Sequence, residues 1–380
     1  MNKIIFAPDS FKGTMSSLEI CDIMEGQLAR VFPECQAVKL PIADGGEGTV
    51  EAMLSASGGE RIELDVTGPD GRKIRSFYGL INDGTTAVIE MAAAAGLPLV
   101  RGHEDPSVMT TYGVGQLILD AAQRGVGNIL LGLGGSCTND GGCGAAAALG
   151  VTFTDADGRQ FIPSGGSLKK ICAIDLSPAK ELLKGVSIRI MCDVDNPLYG
   201  PRGAAYIFGP QKGADKKMVT MLDSGLVHLG GLLEKLCPGV SDMPGAGAAG
   251  GMGAGMTAML GARLVSGIDG VLDAIGFEEL LDGCDMIFTG EGRIDSQSLH
   301  GKVVSGICRR AKVRGVPVCA VVGDALDDQL SNADDIGLCG VFTINRKAVP
   351  VSLSRLTAKA DLAALMHSIF TFAAACSGDK

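Results

Sequence analysis

KIIFAPDSFKGTMSSLEICDIMEGQLARVFPECQAVKLPIADGGEGT, residues 3–49, sets the architecture of the chain. Lys3 to Pro8 is a short apolar, β-prone run of the kind that becomes a buried strand. Ser16-Ser17-Leu18-Glu19 has the spacing of a capping box, and Leu18, Cys21, Met24, Leu28 and Val31 follow as one apolar stripe at helical period. A second strand is expected near 37–42, running into the acidic glycine loop ADGGEGT, with a helix from about Thr49. Strand, helix, strand, helix implies a parallel sheet, because parallel neighbours need a crossover long enough to hold a helix.

Beyond this unit the pattern changes. Alternating runs at 61–67, 74–81 and 87–91 are split by the turn signals GPDG and NDG and read as hairpins or a meander. A helical pattern at 110–125 precedes a strand at 128–133, a glycine loop and a short helix at 145–149. A strand at 187–194 ends in an acidic loop, and helical patterns follow around 215–236 and 254–282. The closing stretch returns to alternation: strand 285–289, helix from about 296 to 314, strands 316–323 and 338–344, and a last helix from Leu353. This ending resembles the opening. The expected class is therefore α/β with two domains, residues 1–75 and 285–380 forming one doubly wound domain and residues 76–284 inserted into it.

Composition narrows the function. A chain of 380 residues exceeds what one core usually serves, so two domains with a cleft between them are expected. Lys plus Arg number 33 against 43 Asp plus Glu, a net charge of −10, which is the wrong sign for holding nucleic acid through its phosphates. The 56 glycines are about twice average usage and have no collagen-like period, so many turns bring backbone close to something. Asp9 interrupts the first apolar run before it reaches signal-peptide length. The uncharged run from Met243 to Ala262 is interrupted by seven glycines, which suits a buried or site-lining segment better than a membrane span. The 12 cysteines show no CxxC and the 4 histidines no zinc spacing, so the cysteines are expected to be mostly buried thiols in a reducing cytoplasm. No membrane partner is expected. Oligomeric state is left open, a homodimer being the one assembly entertained.

Ligands of open α/β sheets gather beyond the carboxyl ends of strands. Seven post-strand or loop clusters carry polar chemistry: APDSFKGT, ADGGEGT, GGSCTNDGG, CDVDNPL, FGPQKGA, PGAGAAGGMGAG and TGEGRIDSQS. GGSCTNDGG follows a strand and precedes a helix, an order that presents backbone N–H groups to an anion. An ordinary tight turn capped by Asn139 and Asp140 reads equally well from these residues alone. No GxxxxGK[ST] occurs, since Gly301-Lys302 is followed by Val303 and lacks the upstream glycine, which excludes a Walker-type P-loop. Gly245-x-Gly247-x-x-Gly250 matches the dinucleotide fingerprint, but a proline-containing turn precedes it in place of a strand. Together the clusters combine glycine with acids and cations, the mixture phosphoryl transfer requires.

In this order and spacing the seven motifs resemble the bacterial glycerate kinase family of the ATP-dependent glycerate 2-kinase type, over residues 1 to about 375. The resemblance implies ATP, Mg²⁺, D-glycerate as acceptor and 2-phosphoglycerate as the usual product, with 3-phosphoglycerate the lesser expectation. It also implies a Rossmann-like domain from both chain ends and an inserted flavodoxin-like domain. Cys137 and Cys143 stand where relatives often carry alanine or another small residue, a change the loop should tolerate.

Laid on these motifs, the physical roles are as follows. Asp193, at a strand end, is the candidate general base for the substrate hydroxyl, and Lys12 and Lys212 balance phosphoryl charge. Gly134, Gly135, Ser136, Thr138, Asn139, Asp140 and Gly141 form the candidate phosphate or nucleotide cradle. Asp9, Ser10, Asp44, Arg293 and Asp295 are candidates for substrate binding, Arg293 for a carboxylate. Glu47 and Glu291 are candidate Mg²⁺ ligands. Each has a plainer reading: loop acids cap turns and helix starts, and a single loop lysine is usually a solvated surface ion. The rival functions are a nicotinamide-dependent oxidoreductase using GAGAAG and a non-catalytic small-acid binding protein.

Overall fold

The computed structural model describes residues 1–43, 45–294, 303–324, 336–345 and 350–377. Its strands in chain order are β1 (Lys3–Pro8), β2 (Gln36–Lys39), β3 (Glu60–Thr67), β4 (Lys73–Ile81), β5 (Thr86–Glu90), β6 (Asn128–Gly132) and β7 (Thr152–Thr154). They continue with β8 (Gln160–Phe161), β9 (Ala173–Asp175), β10 (Ser187–Met191), β11 (Arg263–Val265), β12 (Met286–Gly290), β13 (Val318–Val322) and β14 (Leu338–Thr343). Contacts divide the chain into two compact units, one of Met1–Asp44, Glu51–Ser57 and Val271–Lys380, the other of Gly45–Val50 and Gly58–Gly270.

The first unit holds a five-stranded sheet in the order β14-β13-β12-β1-β2, and all of its described pairs are parallel. β1 and β13 are buried almost throughout, as strands covered on both faces must be, which is why they read as unbroken apolar runs. The expected capping box is present: Ser16 Oγ accepts the Glu19 N–H, and the Glu19 carboxylate accepts the Ser16 N–H at 2.9 Å. In the helix Ser17–Val31, Ile20, Cys21, Met24 and Leu28 face the core, whereas Leu18 points outward at 39% exposure and so drops out of the expected stripe. The last helix, Val351–Ser377, sends Phe370 against Phe6 and Phe288, with ring centroids 6.4 and 5.5 Å away. A core aromatic of this kind thus joins residues from both chain ends.

The second unit holds a six-stranded sheet in the order β11-β10-β6-β5-β4-β3, with a small antiparallel sheet β8-β7-β9 beside it. β5, β6, β10 and β11 run parallel, while β3 and β4 extend the sheet as an antiparallel meander from β5. Residues 60–75 therefore belong with this sheet, whereas the expected boundary assigned them to the first unit; the eight-residue ladder between β3 and β4 decides the matter. The helical pattern at 254–282 is broken into Ala248–Leu260, β11, Gly267–Ala274 and Phe277–Leu280, since Gly261 in a left-handed conformation ends the first helix. No helix among the described residues is long and apolar enough to cross a membrane.

Candidate functional site

In the second unit the parallel strands deliver their chemistry at their carboxyl ends: Glu90 closes β5, the glycine loop 133–142 follows β6, and Asp193 follows β10. Close packing of glycine backbone assembles these ends. The loop 45–50 lies over them, with Gly134 N–H donating to Gly45 O at 3.3 Å. A Cβ on Gly132 would stand 2.1 Å from Gly45 O, and one on Gly134 2.6 Å from Gly46 Cα, so only glycine allows the approach. Glu90, 3% exposed, accepts the Val50 N–H at 2.7 Å and pins the end of this loop.

The glycine-rich segment 245–255 packs on the same loop from another side. Ala249, Gly250 and Gly251 are three successive residues of left-handed conformation. Gly250 O accepts the Gly141 N–H at 3.0 Å, and a Cβ on Gly250 would stand 2.2 Å from Thr138 O. Gly247 N–H donates to Asn196 O at 2.9 Å, which ties the segment to the CDVDNPL loop. The dinucleotide reading fails here: no strand leads into GAGAAG, and its glycines admit neighbouring protein backbone, not a pyrophosphate.

Lys212 does not follow the plainer reading of a loop lysine, that of a solvated surface ion. It is 1% exposed, and its ammonium donates to Ser136 Oγ at 2.8 Å and to Thr138 O at 2.6 Å. Among the described residues no carboxylate stands within ion-pair distance of it. Burial pulls its pKa down to about 8, with Cys137 and Asp140 opposing from nearby. Asp140, fully buried, accepts from the Thr111 N–H and hydroxyl, each at 2.8 Å, and from the N–H groups of Gly142 and Gly144. Its burial pushes the carboxyl up while these donors hold it down. Asn139 is also fully buried, yet neither its Oδ1 nor its Nδ2 has a hydrogen-bond partner among the described residues, and the Thr138 hydroxyl is likewise unmatched. Buried polar side chains are as a rule hydrogen-bonded, so the amide of Asn139 and the hydroxyl of Thr138 are groups with which the loop could bind a polar atom. Asp193 is exposed and accepts the Gly267 N–H at 2.7 Å through one carboxylate oxygen, Oδ1. Glu47 is exposed in the loop over the strand ends.

In the first unit the APDSFKGT motif meets residues 289–294 of the TGEGRIDSQS motif at the ends of β1 and β12. Asp9 N–H donates to Gly290 O at 2.8 Å, and Ser10 N–H to Asp9 Oδ1 at 2.6 Å. Lys12 and Arg293 are exposed, and Arg293 Nε stands 3.6 Å from Asp324 Oδ2 at the end of β13. Glu291, 9% exposed, has its carbonyl held by the Gly323 N–H at 3.3 Å. Asp44 and Asp295 lie outside the described residues.

Seven expected motifs thus sort into two groups: five converge in the second unit and two in the first. Sequence reasoning passed over Glu90 and Thr111. Glu90 had a signal, a carboxylate inside the apolar run 87–91; Thr111 had none, since a threonine before a helix is commonplace.

A family model described as "Glycerate kinase family" matches residues 4–374. A curated protein of Escherichia coli K12 called glycerate 2-kinase is 48% identical over 344 residues, 90% of each chain. One of Bacillus subtilis 168 called glycerate kinase is 46% identical over 352 residues, 92% of each. A crystal structure from Salmonella typhimurium LT2, provisionally designated glycerate kinase 2, superposes with a TM-score of 0.88 at 40% identity and 99% coverage of both chains.

Proposed function

Because the chain belongs to the glycerate kinase family, we propose that it transfers the γ-phosphoryl group of ATP to D-glycerate, giving 2-phosphoglycerate. The observation that carries the assignment of the site is the Lys212 ammonium, sealed against the 134–142 loop without a carboxylate at ion-pair distance among the described residues. A buried cation without a directly paired carboxylate costs several kcal/mol, which the nearby Asp140 offsets only in part. An anion arriving at the loop offsets that cost, and a fixed positive charge near transferring phosphoryl oxygens is what the transition state rewards.

The remaining roles follow from placement. Gly135, Ser136, Thr138 and Asn139 of the loop are the phosphate cradle, while Gly134 and Gly141, whose N–H groups go to Gly45 O and Gly250 O, hold its ends and Asp140 keeps its shape from behind. Asp193 is the general base that takes the hydroxyl proton. Lys212 acts through the loop as a positioning residue and as a source of field. In the first unit Lys12 and Arg293, with Asp9 and Ser10 beside them, supply charge and hydrogen bonds for an anionic ligand group. Among the described residues no three His, Cys, Asp or Glu side chains gather as a metal cage. This donor set fits Mg²⁺ carried by nucleotide phosphates, which typically needs only one or two protein carboxylates, and Glu291, 9% exposed, would be one that holds it. Bound there, the ion would neutralise phosphate charge.

The test is ADP release from Mg-ATP in the presence of D-glycerate, followed by NMR of the product. Glycerate-dependent ADP and a phosphate on the 2-hydroxyl are expected. Absence of glycerate-dependent turnover sinks the activity, and phosphate on the 3-hydroxyl sinks the regiochemistry.

A further inference from the structure

The five-stranded sheet ends at the edge strand β14, and there two thiols meet across neighbouring strands. Cys319 Sγ and Cys339 Sγ are 3.2 Å apart. Val318 pairs with Leu338 but Cys319 pairs with Gly340, so the register slips by one residue and Cys339 is the extra one. A bulge of this kind re-aims a side chain. Here it turns Cys339 onto β13, where its thiol also donates to Val318 O at 3.2 Å. Cys319 is buried, and Cys339 lies exposed on the edge. A disulfide has its sulfurs about 2.05 Å apart and its Cα atoms about 4.4–6.8 Å apart, a span that adjacent strands at about 4.8 Å already provide. Closing the pair therefore needs a sulfur movement of only about 1 Å. Burial of Cys319 raises its pKa and so makes it unreactive alone, whereas the exposed partner is open to small oxidants.

We propose that Cys319 and Cys339 are a reversible oxidation site that closes to a disulfide at the expense of hydrogen peroxide. The Cys339 thiolate attacks a peroxide oxygen, the O–O bond breaks, and the products are a sulfenic acid on Cys339 and hydroxide, which takes a proton to become water. The Cys319 sulfur then attacks the Cys339 sulfur; the S–O bond breaks and the departing hydroxyl leaves as water with the Cys319 proton. Two thiols lose two electrons in all, and the peroxide gains them. A dithiol reductant reverses the bond. The pair captures the sulfenic acid before it proceeds to irreversible acids. The site is independent of the kinase assignment, since neither cysteine has a role in it.

The experiment treats the full chain with stoichiometric hydrogen peroxide, alkylates the remaining thiols, and maps peptides without reduction. The expected result is loss of two of the 12 thiols, a cross-linked Cys319–Cys339 peptide, and recovery of both thiols with dithiothreitol. Cys339→Ser, an exposed change with little bearing on folding, abolishes the cross-link. In Cys319→Ala, Cys339 stops at a sulfenic acid that a dimedone probe labels. Sulfinic acid on Cys339 of the unaltered chain without a cross-link overturns the proposal, as does a cross-link from Cys339 to the buried Cys308.

Discussion

Lys212→Met separates a structural lysine from a functional one. Methionine keeps the length and apolar stem but removes the ammonium from Ser136 Oγ and Thr138 O. Two effects on stability oppose each other. A lysine whose pKa falls from 10.5 to about 8 on burial carries a desolvation cost of about 3 kcal/mol in its charged form, and the substitution removes that cost. It also leaves two acceptors unmatched, at about 1–3 kcal/mol each, with the hydroxyl of Ser136 free to turn elsewhere. The net change in folding free energy is expected to be within about 2 kcal/mol of zero, read by urea unfolding. Catalysis has no such compensation: loss of a fixed positive charge at the phosphoryl group is expected to lower kcat about 10²–10³-fold in the coupled ADP assay. The pH dependence supplies a second check. Turnover of the unaltered chain falls as pH rises through about 8, where the ammonium loses its proton. For stability the sign is opposite. Burial disfavours the charged form, so the penalty is fully present below about 8 and is relieved as pH rises toward 10.5, a gain absent from Lys212→Met. Wild-type turnover by Lys212→Met, or a large loss of stability with unchanged kcat in the folded fraction, refutes the reasoning.

Asp193→Asn keeps an oxygen for the Gly267 N–H but cannot take a proton, so kcat is expected to fall at least about 10²-fold with KM little changed; an unchanged kcat removes Asp193 from the mechanism. Gly255→Ala would place a Cβ 1.8 Å from Gly141 O, and because backbone cannot swing aside the change is expected to cost about 3 kcal/mol in urea unfolding; a cost under about 1 kcal/mol contradicts the close approach. Glu19, whose carboxyl Lys359 and Ser16 lower to about 2, contributes stability above its ordinary 4.5 that is lost as pH falls toward 2. Being half exposed, it is worth less than about 1 kcal/mol, so Glu19→Gln should narrow to no difference in acid, and a difference that grows in acid contradicts the pairing.

The doubly wound sheet is legible because its strands are covered on both faces and so appear as uninterrupted apolar runs, and because Ser16 and Glu19 announce a helix start by local hydrogen bonding. The unit to which 60–75 belong is not legible: alternation identifies two strands but carries no information about the sheet they join. The glycine loops are visible as a composition, yet their use is not. Glycine spacing is the same whether the missing Cβ makes room for a phosphate or, as at Gly250, for Thr138 O. The burial of Lys212 is hidden for a related reason. Its neighbours Gly209, Pro210 and Gly213 read as a surface turn, and the burial arises from long-range contact with residues some seventy positions earlier. Glu90 stands out as an acid closing an apolar strand, but its partner, Val50, is forty residues away and so cannot be read from that run.

The contact of Phe370 with Phe6 and Phe288 has a consequence for biosynthesis. β1 leaves the ribosome long before β12, with which it pairs through Ile4 and Met286, so its neighbour on that side is translated about 280 residues later. Until then β1 and β2 form a two-stranded fragment, too small to be stable alone. The second unit, contiguous but for Gly45–Val50, can reach its native sheet while synthesis continues. The first unit waits for the terminal helix, and a transcript broken before residue 370 leaves Phe6 and Phe288 as an apolar surface for quality-control proteins to grip.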